Sequence, residues 1–284
     1  MDLGIKGKVA IVTGTNRKGA MGDAIAKTLA AEGANIACVD IVIEGAEAIA
    51  KEVAEMGVKA IAIKADQREH QQVKDAVAKI NAELGPVDIL VNNAALLRGG
   101  GRIEKTTVED WKNLMQIDLD GPWYWIREVW DQMVAKKWGR IVNISSIAGV
   151  QGGFGQANYS AAKAGVIALA KTAALEGARD GITANAVTLG VVDTTGGRML
   201  GGARPPSGER PPSGGPPPGG GPPPGERGPQ RGEMFERIRM QIAMREFGEP
   251  ADVATIVAFL VSKHAKYITG QNIHVMGGLD LFTY

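Results

Sequence analysis

Apolar residues fall along this chain in two alternating patterns. Short, nearly continuous runs at residues 9–12, 35–40, 60–64, 89–92, 140–144 and 183–187 have the length of buried strands. Between them, apolar positions recur three and four apart over 22–32, 44–56, 70–84, about 107–137 and about 158–180, the spacing that lines one face of a helix. A last helix at 251–262 and a strand at 272–275 end the series. Strands that alternate with helices imply right-handed crossovers and a parallel sheet covered on both faces. The pattern therefore predicts an α/β fold, a doubly wound parallel sheet whose ligands bind beyond the carboxyl ends of the strands.

One segment breaks the pattern. Eleven of the 14 prolines lie between Pro205 and Pro229, interleaved with Gly, Arg and Glu. Such a composition neither packs a core nor sustains a helix. Residues 196–232 are expected to be a flexible Pro/Gly-rich insertion within a single domain spanning 1–284, and decoration is preferred over a specific Pro-rich ligand.

Composition then narrows the classes. With 44% hydrophobic and 22% charged residues, the 284-residue chain is typical of globular proteins. A net charge of +1 gives no field that would draw it to nucleic acid or anionic lipid. No apolar run approaches the roughly 20 residues that span a bilayer, and the first residues lack the regions of a signal peptide. Cys38 stands alone and His70, His264 and His274 are isolated, so neither an internal disulfide nor a metal site is expected. These features predict a cytoplasmic protein with a small-molecule partner and no nucleic acid, membrane or metal.

The candidate chemistry sits at the ends of the predicted strands. After the first comes Gly14-x4-Gly19-x2-Gly22, leading into a helix. Glycines there allow a tight turn, and a helix N-terminus presents free N–H groups to a pyrophosphate. The second strand ends in Asp40, at the spacing of an acid that grips a ribose diol; capping of the next helix is the plainer role. Ser146 follows the fifth strand, and Tyr159 and Lys163 stand four apart, hence on one helix face. A phenol is a poor base at neutral pH because it titrates near ~10, but a fixed ammonium beside it favours the phenolate. The Tyr–Lys pair alone would be an ordinary surface pair. Together with Ser146, Asp40, the glycine turn and Asn92-Asn93-Ala94-Ala95, it points to a dinucleotide-dependent enzyme.

These motifs resemble the short-chain dehydrogenase/reductase family over about residues 6–195 and 233–278. The resemblance implies a Rossmann fold. Tyr159 would be the acid/base, Lys163 the group that holds the nicotinamide ribose and tunes the tyrosine, and Ser146 the residue that orients the substrate oxygen. It also implies cofactor contacts from Gly14, Asn16, Gly19, Met21, Gly22, Asp40, Asp66, Gln67, Asn92 and Ala94, with Val192 and Thr194 in the segment that docks the carboxamide. Substrate contacts are expected from Leu97, Gln151, Phe154, Val191 and Phe235. Four positions depart from the family pattern. The glycine turn carries two extra residues, Asp118 replaces the Asn whose backbone carbonyl serves the proton relay, Leu189 replaces a Pro, and Ala95 replaces a Gly.

The expected function is NAD(H)-dependent interconversion of a secondary alcohol and a ketone. Asp40 favours NAD over NADP, whereas Arg17 and Lys18 argue mildly for NADP. The alternative within the class is an NADPH-dependent 3-oxoacyl thioester reductase, because Gly155-Gln156-Ala157-Asn158-Tyr159 looks like that branch. A rival of another class is a catalytically weak cofactor-binding scaffold. The resemblance further implies a homotetramer built on the two long helices, with Trp111, Trp123 and Trp130 adding apolar area. Trp123, Tyr124, Trp125 and Trp130 together are expected to serve helix packing or a subunit interface.

Overall fold

Val9–Thr13 (β1) and Asn35–Asp40 (β2) are rich in β-branched residues, and their alternation is visible in the packing. Ala10 and Val12 enter one core with Ile36 and Cys38, while Val9 and Ile11 enter another with Ala37 and Val39. Both faces of the sheet are thus buried, which explains why these strands look uniformly apolar in sequence. The computed structural model describes residues 2–97, 101–194 and 231–281. The expected insertion lies outside the described residues up to residue 230.

The remaining strands are Ala60–Lys64 (β3), Ile89–Asn92 (β4), Gly139–Ser146 (β5), Ile182–Leu189 (β6) and Asn272–Val275 (β7). They form one seven-stranded sheet in the order β3-β2-β1-β4-β5-β6-β7, and every pair is parallel. The order reverses between β1 and β4, and doubly wound sheets bind their ligands above such a point. This is the predicted fold.

Helices cover the sheet in two layers. Met21–Ala31 (α1), Ile43–Ala54 (α2) and Pro250–Leu260 (α9) enclose the first core, with Ile25, Leu29, Ile49, Val253 and Val257 fully buried. Helix α9 packs directly on α1. The second core is closed by His70–Glu83 (α3), Gly121–Lys136 (α5) and Ala157–Gly177 (α7), and contains Ile80, Trp125 and Met133. Burying one aliphatic side chain of this size contributes about 1.5–3 kcal/mol. A short helix, Ala148–Gln151 (α6), follows β5, and Arg231–Gln241 (α8) precedes α9. Among the described residues, no helix is long and apolar enough to cross a membrane, and no group of His, Cys, Asp or Glu could hold a metal.

The helix expected over about 107–137 is interrupted. Val108–Met115 (α4) begins at a capping box in which Thr107 and Asp110 satisfy each other's backbone N–H groups. Gln116–Asp120 then forms a π turn before α5 resumes the α-helix. Pro122 has no N–H to give the carbonyl of Asp118 four residues earlier, so regular α pairing fails at this point. The Gly121 N–H reaches back five residues to Gln116 instead. Such π turns often mark functional sites. The aromatic cluster divides: Trp125 is core, whereas Trp123 is 46% exposed, and Trp111 on α4 is 41% exposed.

Candidate active site

A cleft of about 550 Å³ opens over the carboxyl ends of β1, β2, β4, β5 and β6, within the usual size of small-molecule sites. Its floor at the switch point is the glycine turn. A Cβ on Gly22 would lie 2.2 Å from the Gly14 carbonyl oxygen, and one on Gly14 would lie 2.8 Å from the Ala94 Cα. Only glycine lets the two βα turns approach this closely. Asn93 clamps them by donating to the Thr13 and Gly14 carbonyls at 2.8 and 3.3 Å. No side chain caps α1, whose N-cap residue is Ala20. A helix start left uncapped beside a glycine cradle suits a pyrophosphate.

The longer turn is accommodated sideways. The Asn16 backbone lies against Gly45 of α2 so closely that a Cβ there would be 2.1 Å from its carbonyl oxygen. The Arg17 guanidinium donates across the cleft to the Thr194 hydroxyl at 2.9 Å, and Lys18 pairs with Glu52. Gly19, outside the cleft lining, donates its N–H to Asp23 at 2.7 Å. The extra residues thus lean on α2 and towards Thr194, leaving Gly14 and Gly22 in place. The Arg17–Thr194 bridge had no signal in the sequence, since the partners stand 177 positions apart.

Asp40 lies at the far end of the cleft and is 8% exposed. Burial raises its carboxyl above the usual aspartate value of 3.8, opposed by hydrogen bonds from Val42 N–H at 2.9 Å and Asn16 Nδ2 at 3.1 Å. Asp66 also lines the cleft; its fork with the Arg68 guanidinium holds it below the usual value. The Gln67 amide donates to the carbonyls of Ile117 at 2.7 Å and Ala94 at 3.3 Å, so it braces the π turn against the loop after β4. Met21, Val192 and Thr194 line the same cleft. Asn92 stands beneath it, tying β4 to Asn143 at 2.9 Å and to the Pro122 carbonyl at 3.3 Å.

Ser146, Tyr159 and Lys163 line the same cleft beyond β5. Ser146 is carried on the last residue of β5, where its Oγ accepts from the Ala148 N–H at 3.2 Å and keeps its own proton to donate. Tyr159 and Lys163 project from α7, with the Lys163 Nζ 5.6 Å from the Tyr159 ring centre. Lys163 donates to the Ile144 carbonyl at 3.2 Å. Neighbouring Ser145 anchors the helix by donating to the Lys163 carbonyl at 2.8 Å. Behind the lysine stands Asp118, fully buried on the π turn, with Oδ2 3.5 Å from Nζ.

The expected substrate residues do not form one wall. Leu97 lines the cleft and is 75% exposed. Phe154 lines a separate shallow hollow with Arg102 and Ile103, and Gln151 is exposed at the end of α6. The Val191 carbonyl is engaged by the Gly248 N–H, and Phe235 on α8 packs edge-on to Phe247 at 6.2 Å. Cys38 is inert, its thiol pushed up to about 12 by burial in the sheet.

The family model for short chain dehydrogenases matches residues 8–201, and one described as enoyl-(acyl carrier protein) reductase matches 224–280. The 3-oxoacyl-[acyl-carrier-protein] reductase of Staphylococcus epidermidis is 36% identical over 274 residues, covering 96% of this chain and 98% of its own. The enzymes of the same name from Escherichia coli and Aquifex aeolicus are 34% and 33% identical, over 98% of this chain and 99% and 100% of theirs. With the switch-point cleft and its Ser–Tyr–Lys end in view, these matches establish that the chain belongs to the short-chain dehydrogenase/reductase family, oxidoreductases that act on CH–OH groups with a nicotinamide cofactor.

Proposed function

We propose that this protein interconverts 3-oxoacyl and 3-hydroxyacyl thioesters, using NAD(H). The carrying observation is the chain-long similarity to three 3-oxoacyl-[acyl-carrier-protein] reductases over a cleft that keeps Ser146, Tyr159 and Lys163 together. It favours the thioester over an unspecified secondary alcohol. The exposed apolar Leu97 at the cleft edge suits an acyl chain.

The cofactor reading rests on Asp40. Its carboxylate accepts hydrogen bonds from the hydroxyls of an adenosine ribose and repels a 2′-phosphate. The uncapped start of α1 would hold the pyrophosphate, and Lys163 the nicotinamide ribose. When bound, the nicotinamide supplies or accepts the hydride. Tyr159 donates its phenolic proton to the substrate oxygen during reduction and recovers it during oxidation. The Ser146 hydroxyl donates to the same oxygen as charge builds there, stabilising the transition state more than the ground state.

The test is turnover of acetoacetyl-CoA and of a panel of simple ketones by the purified protein, each with NADH and with NADPH. Reduction of the thioester at the higher kcat/KM with NADH is expected. Turnover of ketones but not of the thioester overturns the substrate reading, and a higher kcat/KM with NADPH overturns the cofactor reading. We further propose a homotetramer packed through α5 and α7, supported by the exposed Trp123 on α5 and Leu175 on α7. Light scattering that gives a monomer at micromolar concentration contradicts it.

A further inference from the structure

Asp118 is a buried carboxylate with one oxygen satisfied and one not. Oδ1 accepts the Leu96 N–H at 2.7 Å, which ties the π turn to the loop after β4. Oδ2 is buried without a hydrogen-bond partner, 3.5 Å from the Lys163 ammonium. Both side chains are sealed from water, at 0% and 5% exposure, so solvent screens their attraction little. Around them, α7 contributes Lys163 and Tyr159, β5 the neutral Ile144 carbonyl, and the β4 loop the Leu96 amide. From the other elements packed nearby, Arg68 is spent on Asp66 and Asn113, and Asp110 on its capping box. Lys163 is the described charge that acts on the Asp118 carboxyl.

We infer that the Asp118 carboxylate, beyond any part its backbone plays, is a positioning and tuning residue for proton transfer, because it offsets the ammonium that faces Tyr159. An unpaired Lys163 would pull the phenol towards its anion with its full charge. With Asp118 on its other side, that pull is weaker. The site is then suited to donating a proton to a carbonyl. Burial favours the protonated form of Asp118, Lys163 opposes it, and the net effect is a carboxyl above the usual 3.8. This inference rests on the reading of Tyr159 as acid/base.

Asp118→Asn keeps an acceptor for the Leu96 N–H and removes only the charge. The pH profile of carbonyl reduction should then move: the alkaline limb of kcat shifts to lower pH by about one unit, within the range of a nearby charge. Acetoacetyl-CoA, or whichever ketone the protein reduces, serves as substrate. An unchanged limb, or one moved to higher pH, overturns the inference. A second measurement needs no turnover and no Asp118 variant. Lys163→Met strands the carboxylate in the interior, so the variant is penalised most where Asp118 is ionised. Its melting temperature should lie well below that of the wild type at about pH 8 and approach it as the pH falls, because an acid raised by burial gains stability on protonation. A gap that does not change with pH overturns the pairing. Failure of the underlying mechanism is distinguished by Tyr159→Phe: near-wild-type turnover there removes the role of the tyrosine, while the melting comparison still decides the ion pair.

Discussion

At the end of the cleft formed by β1 and β2, Asp40 is nearly buried yet borders the cavity, and its Oδ1 is steadied by Val42 and Asn16. At the end formed by β5 and α7, Asp118 is wholly buried behind the cavity and faces Lys163. Burial raises both carboxyls. The difference lies in what each charge meets. Asp40 keeps acceptor capacity on Oδ2 for hydroxyl donors that arrive with a ligand, and on the proposed reading it would act on binding. Asp118 faces a lysine, and on the inference drawn above it would act on the proton. On the reading proposed above, the same residue type would serve recognition at the cavity wall and reactivity behind it.

The largest effect that tests this contrast belongs to the reactive end. Tyr159→Phe preserves the ring and removes the transferable proton, so turnover should fall by about 10²–10⁴ while NADH titration by fluorescence shows binding retained. If binding is lost with turnover, the two ends are not separable. At the recognition end, Asp40→Asn removes a charged acceptor worth about 1.5–3 kcal/mol. NADH affinity should drop by at least about tenfold, and the discrimination against NADPH should narrow; calorimetry with both cofactors measures each. Unequal losses of kcat in that variant would show that the ends communicate.

A smaller effect follows from the raised carboxyl of Asp40. Protonation destroys its acceptor character, so NADH affinity in the wild type should decline on acidification, beginning above the pH at which an ordinary aspartate titrates. Asp40→Asn should flatten that dependence, and a wild-type affinity that stays level into the acid range contradicts the role of Asp40. The smallest effect belongs to neither end. The Pro/Gly-rich composition offers almost no apolar surface to bury, and loop length costs only about 0.6 kcal/mol per doubling. Replacing residues 201–229 with a short Gly-Ser bridge should leave the melting temperature and NADH affinity nearly unchanged. Unfolding, or loss of cofactor binding, would make the segment part of the recognition end.

Much of this was legible in the sequence because it depends on local order. Apolar runs gave the strands of the sheet, the glycine turn and Asp40 gave the first βα unit, and the Tyr159–Lys163 spacing gave one helix face. What escaped was set by contacts between distant segments. Gln67 braces Ile117 from fifty positions away and Arg17 reaches Thr194; neither leaves a periodic trace, whereas an effect of the Asp118 carboxylate on Lys163 was foreseeable from its replacement of the family Asn. The turn itself had a local cue in Pro122, but helical periodicity on either side masks a single added residue. Phe154 and Phe235 were expected at the cleft; Phe235 packs on Phe247 instead, as an aromatic ring is satisfied by any close packing, whereas Phe154 stands largely exposed beside Arg102.

The packing of α9 on α1 has a consequence for the chain while it is being made. Ile25 and Leu29 are buried in the same core as Val253 and Val257, although the ribosome delivers the second pair long after the first. At about 5–20 residues per second, that interval is on the order of ten to forty seconds. Throughout it, one apolar flank of the nascent sheet lacks its cover. The last helix therefore acts as a keystone in synthesis, and a chain truncated before Pro250 should be a substrate for chaperones and proteases instead of a smaller enzyme.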